Sequence, residues 1–144
     1  MKLWEKDFEI NSEIEHFTVG RDREMDLYLA PYDVMGSMAH VTMLESIGLI
    51  GKDELPVLLR ELKAIYVQAR RGDFVIEEGI EDVHSQVELM LTRKLGDMGK
   101  KIHSGRSRND QVLVDLKLFT RAKIKEVAEA TKDLFDQLIA KSQQ

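Results

Sequence analysis

Residues 109–142 read NDQVLVDLKLFTRAKIKEVAEATKDLFDQLIAKS and contain neither glycine nor proline. Apolar side chains recur along this stretch at three- and four-residue steps, as in Val112, Leu116 and Phe119, which predicts one uninterrupted helix. At 1.5 Å per residue the helix would be ~50 Å long, whereas a compact chain of this size has a diameter of roughly 40 Å. Its apolar face is also too broad for a solvated surface helix. We therefore expect other subunits to cover the overhang, and we expect the sequence to stop within the helix.

The preceding part of the chain predicts shorter helices, because all nine glycines and both prolines lie at or before Gly105. Apolar periodicity and stop residues predict three of them: one capped by Asp33 and ended by Gly48, one capped by Asp53 and ended by Gly72, and one from Val83 to Leu95. A capping box at Ser12 and Glu15 predicts a further short turn, and Pro31 is expected to interrupt the apolar segment that precedes Asp33. Residues 74–76 are the only β-like run, too short for more than a connector. The sequence therefore predicts an all-α fold.

Composition excludes several classes of function. The chain has 144 residues, 43% of them hydrophobic, with no cysteine and a net charge of −5. These values fit a globular domain, exclude disulfides and thiolate chemistry, and disfavour a nucleic-acid partner. The longest apolar stretch, near Ile47–Ile50, is far below the ~18 residues of a membrane span, and the acidic start does not resemble a secretory signal. We expect a cytoplasmic protein with no membrane partner.

The segment with the clearest chemical character is HSGRSRNDQ at residues 103–111, where positive charge is concentrated at the start of the long helix. Free N–H groups of a first helical turn, two guanidinium groups and the hydroxyls of Ser104 and Ser107 suit a carboxylate or phosphate. Asn109 adds an amide that both donates and accepts. The alternative is a well-capped helix start in which Ser107, Asn109 or Asp110 satisfies backbone donors.

These nine residues resemble, almost word for word, the first signature of the argininosuccinate lyases, a family of the fumarase/aspartase superfamily. The segment from Glu81 to His84, together with Glu88, is similar to a second helix of that family, and the segment from Asp33 to His40 is similar to a third. The resemblance covers nearly the whole chain. It implies a small N-terminal helical domain (residues 1–108) that leads into the first long helix of the central bundle (residues 109–144).

The resemblance also implies a reaction, the reversible β-elimination of argininosuccinate to arginine and fumarate, without a metal or other cofactor. On this basis the candidate substrate-binding residues are Asn109, Arg108, Ser107 and Ser104, with His84 and Thr18 as secondary candidates. The family's Phe-x-x-Ser, whose serine contacts the substrate, reads Phe-Thr-Val-Gly here, so that Gly20 replaces the serine and Thr18 is the neighbouring residue that can supply a hydroxyl. The resemblance implies a homotetramer, with each active site built from three chains.

The family's catalytic histidine and serine belong to a second and a third signature that have no counterpart in this sequence. No catalytic residue is therefore assigned here, and we expect the 144-residue chain alone to be inactive because a bound substrate still needs a positioned base.

Two other classes of function stay open at this point: a helical interaction domain, and a catalytically silent relative of the crystallin type. No metal site is expected, because the four histidines show no metal-binding spacing such as His-x-x-x-His.

Overall fold

The computed structural model describes residue 17 and residues 20–143. Over these residues the chain forms α-helices and one turn of 3-10 helix, and no β-strand. The elements are α1 (Asp22–Asp26), α2 (Ala30–Ser46), α3 (Glu54–Arg71), α4 (Val83–Leu95), α5 (Asp97–Lys100), the 3-10 turn (Lys101–His103) and α6 (Arg108–Ser142). The predicted all-α fold is confirmed. The capping box predicted at Ser12 and Glu15 lies outside the described residues.

Helices α2, α3 and α4 pack around one apolar core. Each contributes a stripe of buried residues at helical spacing: Val34, Val41 and Leu44 from α2; Leu58, Leu62 and Ile65 from α3; Val83, Val87 and Leu91 from α4. The connector between α3 and α4 adds Phe74, Ile76 and Ile80 to the same core. Full burial of a side chain of this size contributes roughly 1.5–3 kcal/mol. This core fixes the positions of α2 and α4, on which the candidate site is built.

The start of α2 differs from its prediction in two respects. The helix begins at Ala30 and has Pro31 in its first turn, where a missing backbone N–H costs nothing because that group has no intrahelical partner. Pro31 therefore starts the helix and does not interrupt the segment. Asp33 is not the cap, since it lies inside the helix and is only 1% exposed.

The ends of α3 follow the sequence more closely. Asp53 occupies the predicted N-cap position, although its side chain makes no capping hydrogen bond. The backbone N–H of Gly51 donates instead to the Glu54 carboxylate at 2.8 Å. Gly72 ends the helix in the left-handed conformation at φ +81°, which glycine adopts without steric cost. Residues 74–76 form the expected connector and not a strand.

Two short helices, α1 and α5, were not predicted. Helix α4 ends at Leu95 as expected, and α5 then turns back against it. A Cβ atom built on Gly99 would lie 2.5 Å from the carbonyl carbon of Leu91. Glycine is therefore required at this position, because only its bare backbone fits against the last turns of α4.

Helix α6 is 35 residues long and begins at Arg108, one residue before the predicted start. Its first turns pack closely against α2 at Gly36, where an added Cβ would lie 3.3 Å from Val114 Cγ1. Within α6 only Gln111 and Asp115 are buried. Beyond residue 122 every described residue is exposed. No described helix combines the length and the apolar character needed to cross a membrane.

Candidate functional site

The basic loop predicted to bind an anion leads directly into α6, with Ser107 at the N-cap position. The Ser107 N–H donates to the Asp110 carboxylate at 2.9 Å, and this hydrogen bond holds the pKa of Asp110 below its ordinary value. The capping alternative therefore applies to Ser107 and Asp110. It does not apply to Asn109, whose exposed side chain takes no part in the capping box. The N–H groups of Arg108 and Asn109 belong to the first turn and have no intrahelical partner, so donors remain for an external acceptor.

Arg108 joins this loop to the start of α4. Its Nε is 3.0 Å from the Asp82 carboxylate and its Nη1 is 3.2 Å from Glu81 Oε2. Its Nη2 donates to Ser85 Oγ at 3.2 Å. Asp82 is itself the N-cap of α4 and accepts a hydrogen bond from the Ser85 N–H. The guanidinium group is therefore anchored at the candidate site, and a carboxylate that bound it would share or replace these contacts.

Arg106 points in the opposite direction, into the protein. Its Nη2 donates to Ser37 Oγ of α2 at 3.1 Å, and its Nε is buried without a hydrogen-bond partner. Burial lowers the pKa of Arg106, while the negative charges of Asp33 and Asp115 act against that shift. Arg106 thus serves as the positive charge next to a buried acidic cluster.

That cluster consists of Asp33, His84 and Asp115, one residue each from α2, α4 and α6. His84 Nδ1 is 2.7 Å from Asp33 Oδ1 and 3.7 Å from Asp115 Oδ2. Burial alone would lower the pKa of His84, but its hydrogen bond to Asp33 and the charges of Asp33, Asp82 and Asp115 together raise it above its ordinary value. Burial raises the pKa of Asp115 to about 7, and the nearby charge of Asp33 adds to this effect. His84 therefore lies beneath the loop, within a buried polar joint between three helices.

The same three residues are the described group that could hold a metal ion, since one ligand atom from each lies within 4.8 Å of the others. The spacing of histidines in the sequence does not reveal this group, because its members come from three separate helices. Two of the three atoms already contact each other directly, and the Arg106 guanidinium supplies positive charge. Protein groups therefore account for the charge balance of the cluster.

The described candidate residues Ser104, Ser107, Arg108 and Asn109 lie on one continuous segment. His40 Nε2 donates to the Ser104 carbonyl at 2.8 Å, which ties the start of this segment to α2. Gly105 follows at φ +70°, a conformation that favours glycine. Thr18, the remaining candidate, lies outside the described residues.

The polar residues that support this segment were not among the candidate residues, although most of them lie in segments that carry the family resemblance. Asp33, Ser37 and His40 share one face of α2, and Gln111 and Asp115 share one face of α6. Ser37, Gln111 and both aspartates are buried. A usable signal was present in their spacing, because positions three and four apart on a helix lie on the same side. Polar residues at this spacing on a buried face indicate partners in the interior.

Comparison with known proteins agrees with the family resemblance of these segments. A family model described as lyase matches residues 10–144. An argininosuccinate lyase of Bacteroides fragilis is 75% identical over 142 residues, which are 99% of this chain and 32% of the relative. Argininosuccinate lyases of Methylococcus capsulatus and Thermotoga neapolitana are 44% and 38% identical, over 85% and 92% of this chain and 26% and 33% of the relatives. The chain thus spans about a third of the length of the curated relatives it matches.

Proposed function

The chain belongs to the lyase family, and on that premise we propose that it forms the N-terminal part of an argininosuccinate lyase. The proposed reaction is the reversible cleavage of argininosuccinate to arginine and fumarate, a step of arginine biosynthesis in the cytoplasm. One observation carries the proposal. The segment that resembles the family's first signature lies at the start of a long helix, with Asn109 exposed and first-turn N–H groups left for an acceptor.

The geometry supports a defined role for this helix start. In a β-elimination, a proton leaves the carbon next to a carboxylate, and that carboxylate gains negative charge as the carbanion forms. Preorganised donors that face this charge lower the barrier. Asn109 can donate through its side-chain amide, and the helix dipole adds positive potential at the same place. We define the receptor as this start of α6 with Ser104, Ser107, Arg108 and Asn109.

The receptor does not by itself remove a proton. His84 is directed toward Asp33 in the interior, and the His40 ring nitrogen donates to a backbone carbonyl. In the proposed enzyme the base and acid are supplied by other segments of the protein. The receptor contributes binding and charge stabilisation, which explains why the chain alone is expected to be inactive.

Helix α6 supports an assembly of several copies. Leu113, Leu116 and Ile124 line an open apolar groove on one face of the helix, and this face continues with Val127, Leu134 and Leu138, all more than half exposed. A contiguous apolar surface of this kind marks an interaction site. We propose that residues 109–144 belong to a helical bundle of identical subunits, a tetramer in which residues 1–108 form a separate N-terminal helical domain.

The activity is tested by supplying argininosuccinate to the full-length protein and following fumarate by its ultraviolet absorbance. We expect fumarate and arginine to appear in equal amounts. Absence of turnover, together with no change in melting temperature on addition of fumarate or argininosuccinate, would overturn the proposal and favour an interaction domain. Absence of turnover with a clear shift in melting temperature would favour a catalytically silent relative.

A further inference from the structure

One face of α2 carries three polar residues whose partners lie in α4, in the loop before α6 and in α6 itself. Asp33, Ser37 and His40 lie four and three residues apart, so their side chains line up along the helix. We call this row the α2 polar stripe. The neighbouring Gly36 lets α6 approach closely, since an added Cβ would lie 3.3 Å from Val114 Cγ1 and 3.7 Å from Asp115 Oδ1.

Each residue of the stripe makes hydrogen bonds to a different part of the structure. Asp33 Oδ1 accepts from His84 Nδ1 at 2.7 Å on the α4 side and from Gln111 Nε2 at 3.5 Å on the α6 side. Ser37 Oγ accepts from Arg106 at 3.1 Å. His40 Nε2 donates to the Ser104 carbonyl at 2.8 Å. The stripe therefore contacts the loop before α6 at Ser104 and Arg106, and it contacts α6 at Gln111, just beyond the receptor.

The contact between Asp33 and His84 also affects the residues that bind Arg108. His84 directly follows the Asp82–Val83 pair and precedes Ser85, and both Asp82 and Ser85 bind the Arg108 guanidinium. The contact between Asp33 and His84 thus fixes the turn of α4 that orients Arg108. Through Gln111, two residues after Asn109, the same carboxylate also contacts the beginning of α6.

We propose that the α2 polar stripe, Asp33, Ser37 and His40, positions the carboxylate receptor and thereby sets how tightly the substrate is held. The stripe residues act through the receptor and are positioning residues. The inference rests on the proposed lyase function for its kinetic consequence, but the anchoring itself is a property of the structure. A displacement of a binding group by about 1 Å can reduce the rate of an enzyme by up to ~100-fold.

His40 offers the cleanest test, because it is only partly buried and its contact is a single hydrogen bond. In the full-length protein, His40→Leu removes the donor, whereas His40→Gln keeps an N–H group at the place of Nε2. We expect His40→Leu to raise the KM for argininosuccinate about tenfold and His40→Gln to restore it to within about twofold of the wild type. Asp33→Asn, which weakens the acceptor for His84, should also raise KM.

Leu62→Ala serves as a control for stability alone. Leu62 is fully buried in α3 and contacts the apolar core, so its truncation should lower the melting temperature and leave KM unchanged. A lower melting temperature of His40→Leu with wild-type KM and kcat would show a merely structural role and overturn the proposal. Equal defects in His40→Leu and His40→Gln would overturn it as well, because packing and not hydrogen bonding would then matter.

A second readout does not depend on activity. Hydrogen exchange of the peptide that spans residues 104–115 should be about tenfold faster in His40→Leu than in His40→Gln, because the loop loses an anchor. Unchanged exchange in His40→Leu would reject the anchoring. If the wild-type protein showed no turnover of argininosuccinate, the proposed function would fail, while the exchange measurement would still decide whether the stripe holds the loop.

Discussion

The two parts of α6 differ in the kind of residue that they bury or expose. Near its start the helix buries Gln111 and Asp115, which are polar, whereas its far part exposes apolar residues such as Ile124, Leu134 and Leu138. A helix that folded only for its own chain would show the reverse. The start of α6 is therefore shaped by the polar site below the loop. The far part carries the apolar face that we propose to contact other copies, and one helix connects the two.

The largest effect is expected from a charge placed on the exposed apolar face. Leu116→Lys or Ile124→Lys should dissociate the full-length assembly, since each ammonium group would be buried against apolar neighbours. Sedimentation of the purified protein measures the result, and Glu129→Lys on the opposite side of α6 is the matched control. Unchanged sedimentation of both variants would show that this face is not an interface.

Phe119→Lys should also disturb the assembly, but it has a second effect within the chain. Phe119 makes an edge-on contact with Tyr32 of α2, with ring centroids 5.8 Å apart. Ile124 is 62% exposed and does not belong to the described apolar core. Ile124→Lys is therefore the sharper probe of the far part of α6.

The next effect concerns the start of the helix. Asn109→Ala should lower kcat/KM for argininosuccinate by at least about tenfold, because the loss of one preorganised donor to developing charge costs roughly 2.7–4 kcal/mol in comparable sites. Arg108→Ala should have a similar effect and Arg108→Lys a smaller one, since an ammonium group cannot span Glu81, Asp82 and Ser85 together. Lys63→Ala, exposed on α3, is the control. Normal kinetics for both Asn109→Ala and Arg108→Ala would show that the receptor does not bind the substrate.

The long helix and the receptor segment could be read from the sequence for different reasons. Uninterrupted apolar periodicity from Val112 to Leu138 predicts α6 within one residue of its observed start. The residues from Ser104 to Asn109 are adjacent in the chain, so their proximity needed no knowledge of the fold. The buried joint could not be predicted in this way. Asp33 and His84 are 51 positions apart, and only the packing of α2 against α4 brings them together.

A smaller effect is expected on the pH dependence of stability. Because the pKa of Asp115 is about 7 in the folded protein against an ordinary 3.8, its contribution is complete below the lower value and is lost as pH rises through the higher one. Asp115→Asn imitates the protonated acid. Its melting temperature should approach that of the wild type at about pH 4, where the loss has only begun, and exceed it by a few degrees at about pH 8.

Asp97→Asn is the control for this pH experiment, because Lys100 holds the pKa of the exposed Asp97 below its ordinary value, outside that pH range. A melting temperature of Asp115→Asn below that of the wild type at the higher pH would contradict the assignment. It would mean that the ionised carboxylate of Asp115 is needed by Arg106 or His84.

The smallest effect is expected at Tyr32, whose partner Phe119 lies between the start of α6 and its far part. Tyr32→Leu removes the edge-on ring contact with Phe119, which is worth roughly 0.5–1.5 kcal/mol beyond area burial. Denaturant unfolding should show a loss of this size with the assembly unchanged. A variant at Phe135, which is 62% exposed, should instead weaken the assembly. If Tyr32→Leu dissociated the subunits, Phe119 would belong to the interface.

The proposed arrangement is that the far part of α6 joins chains so that its start completes a site with residues of other subunits. It is tested by mixing the 144-residue chain with full-length protein that carries Asn109→Ala, and measuring fumarate release from argininosuccinate. We expect no activity from the chain alone. We expect activity to return in mixed assemblies, because the chain brings an intact Arg108 and Asn109. Mixed assemblies that form but stay as inactive as the Asn109→Ala protein, or turnover by the chain alone, would contradict it.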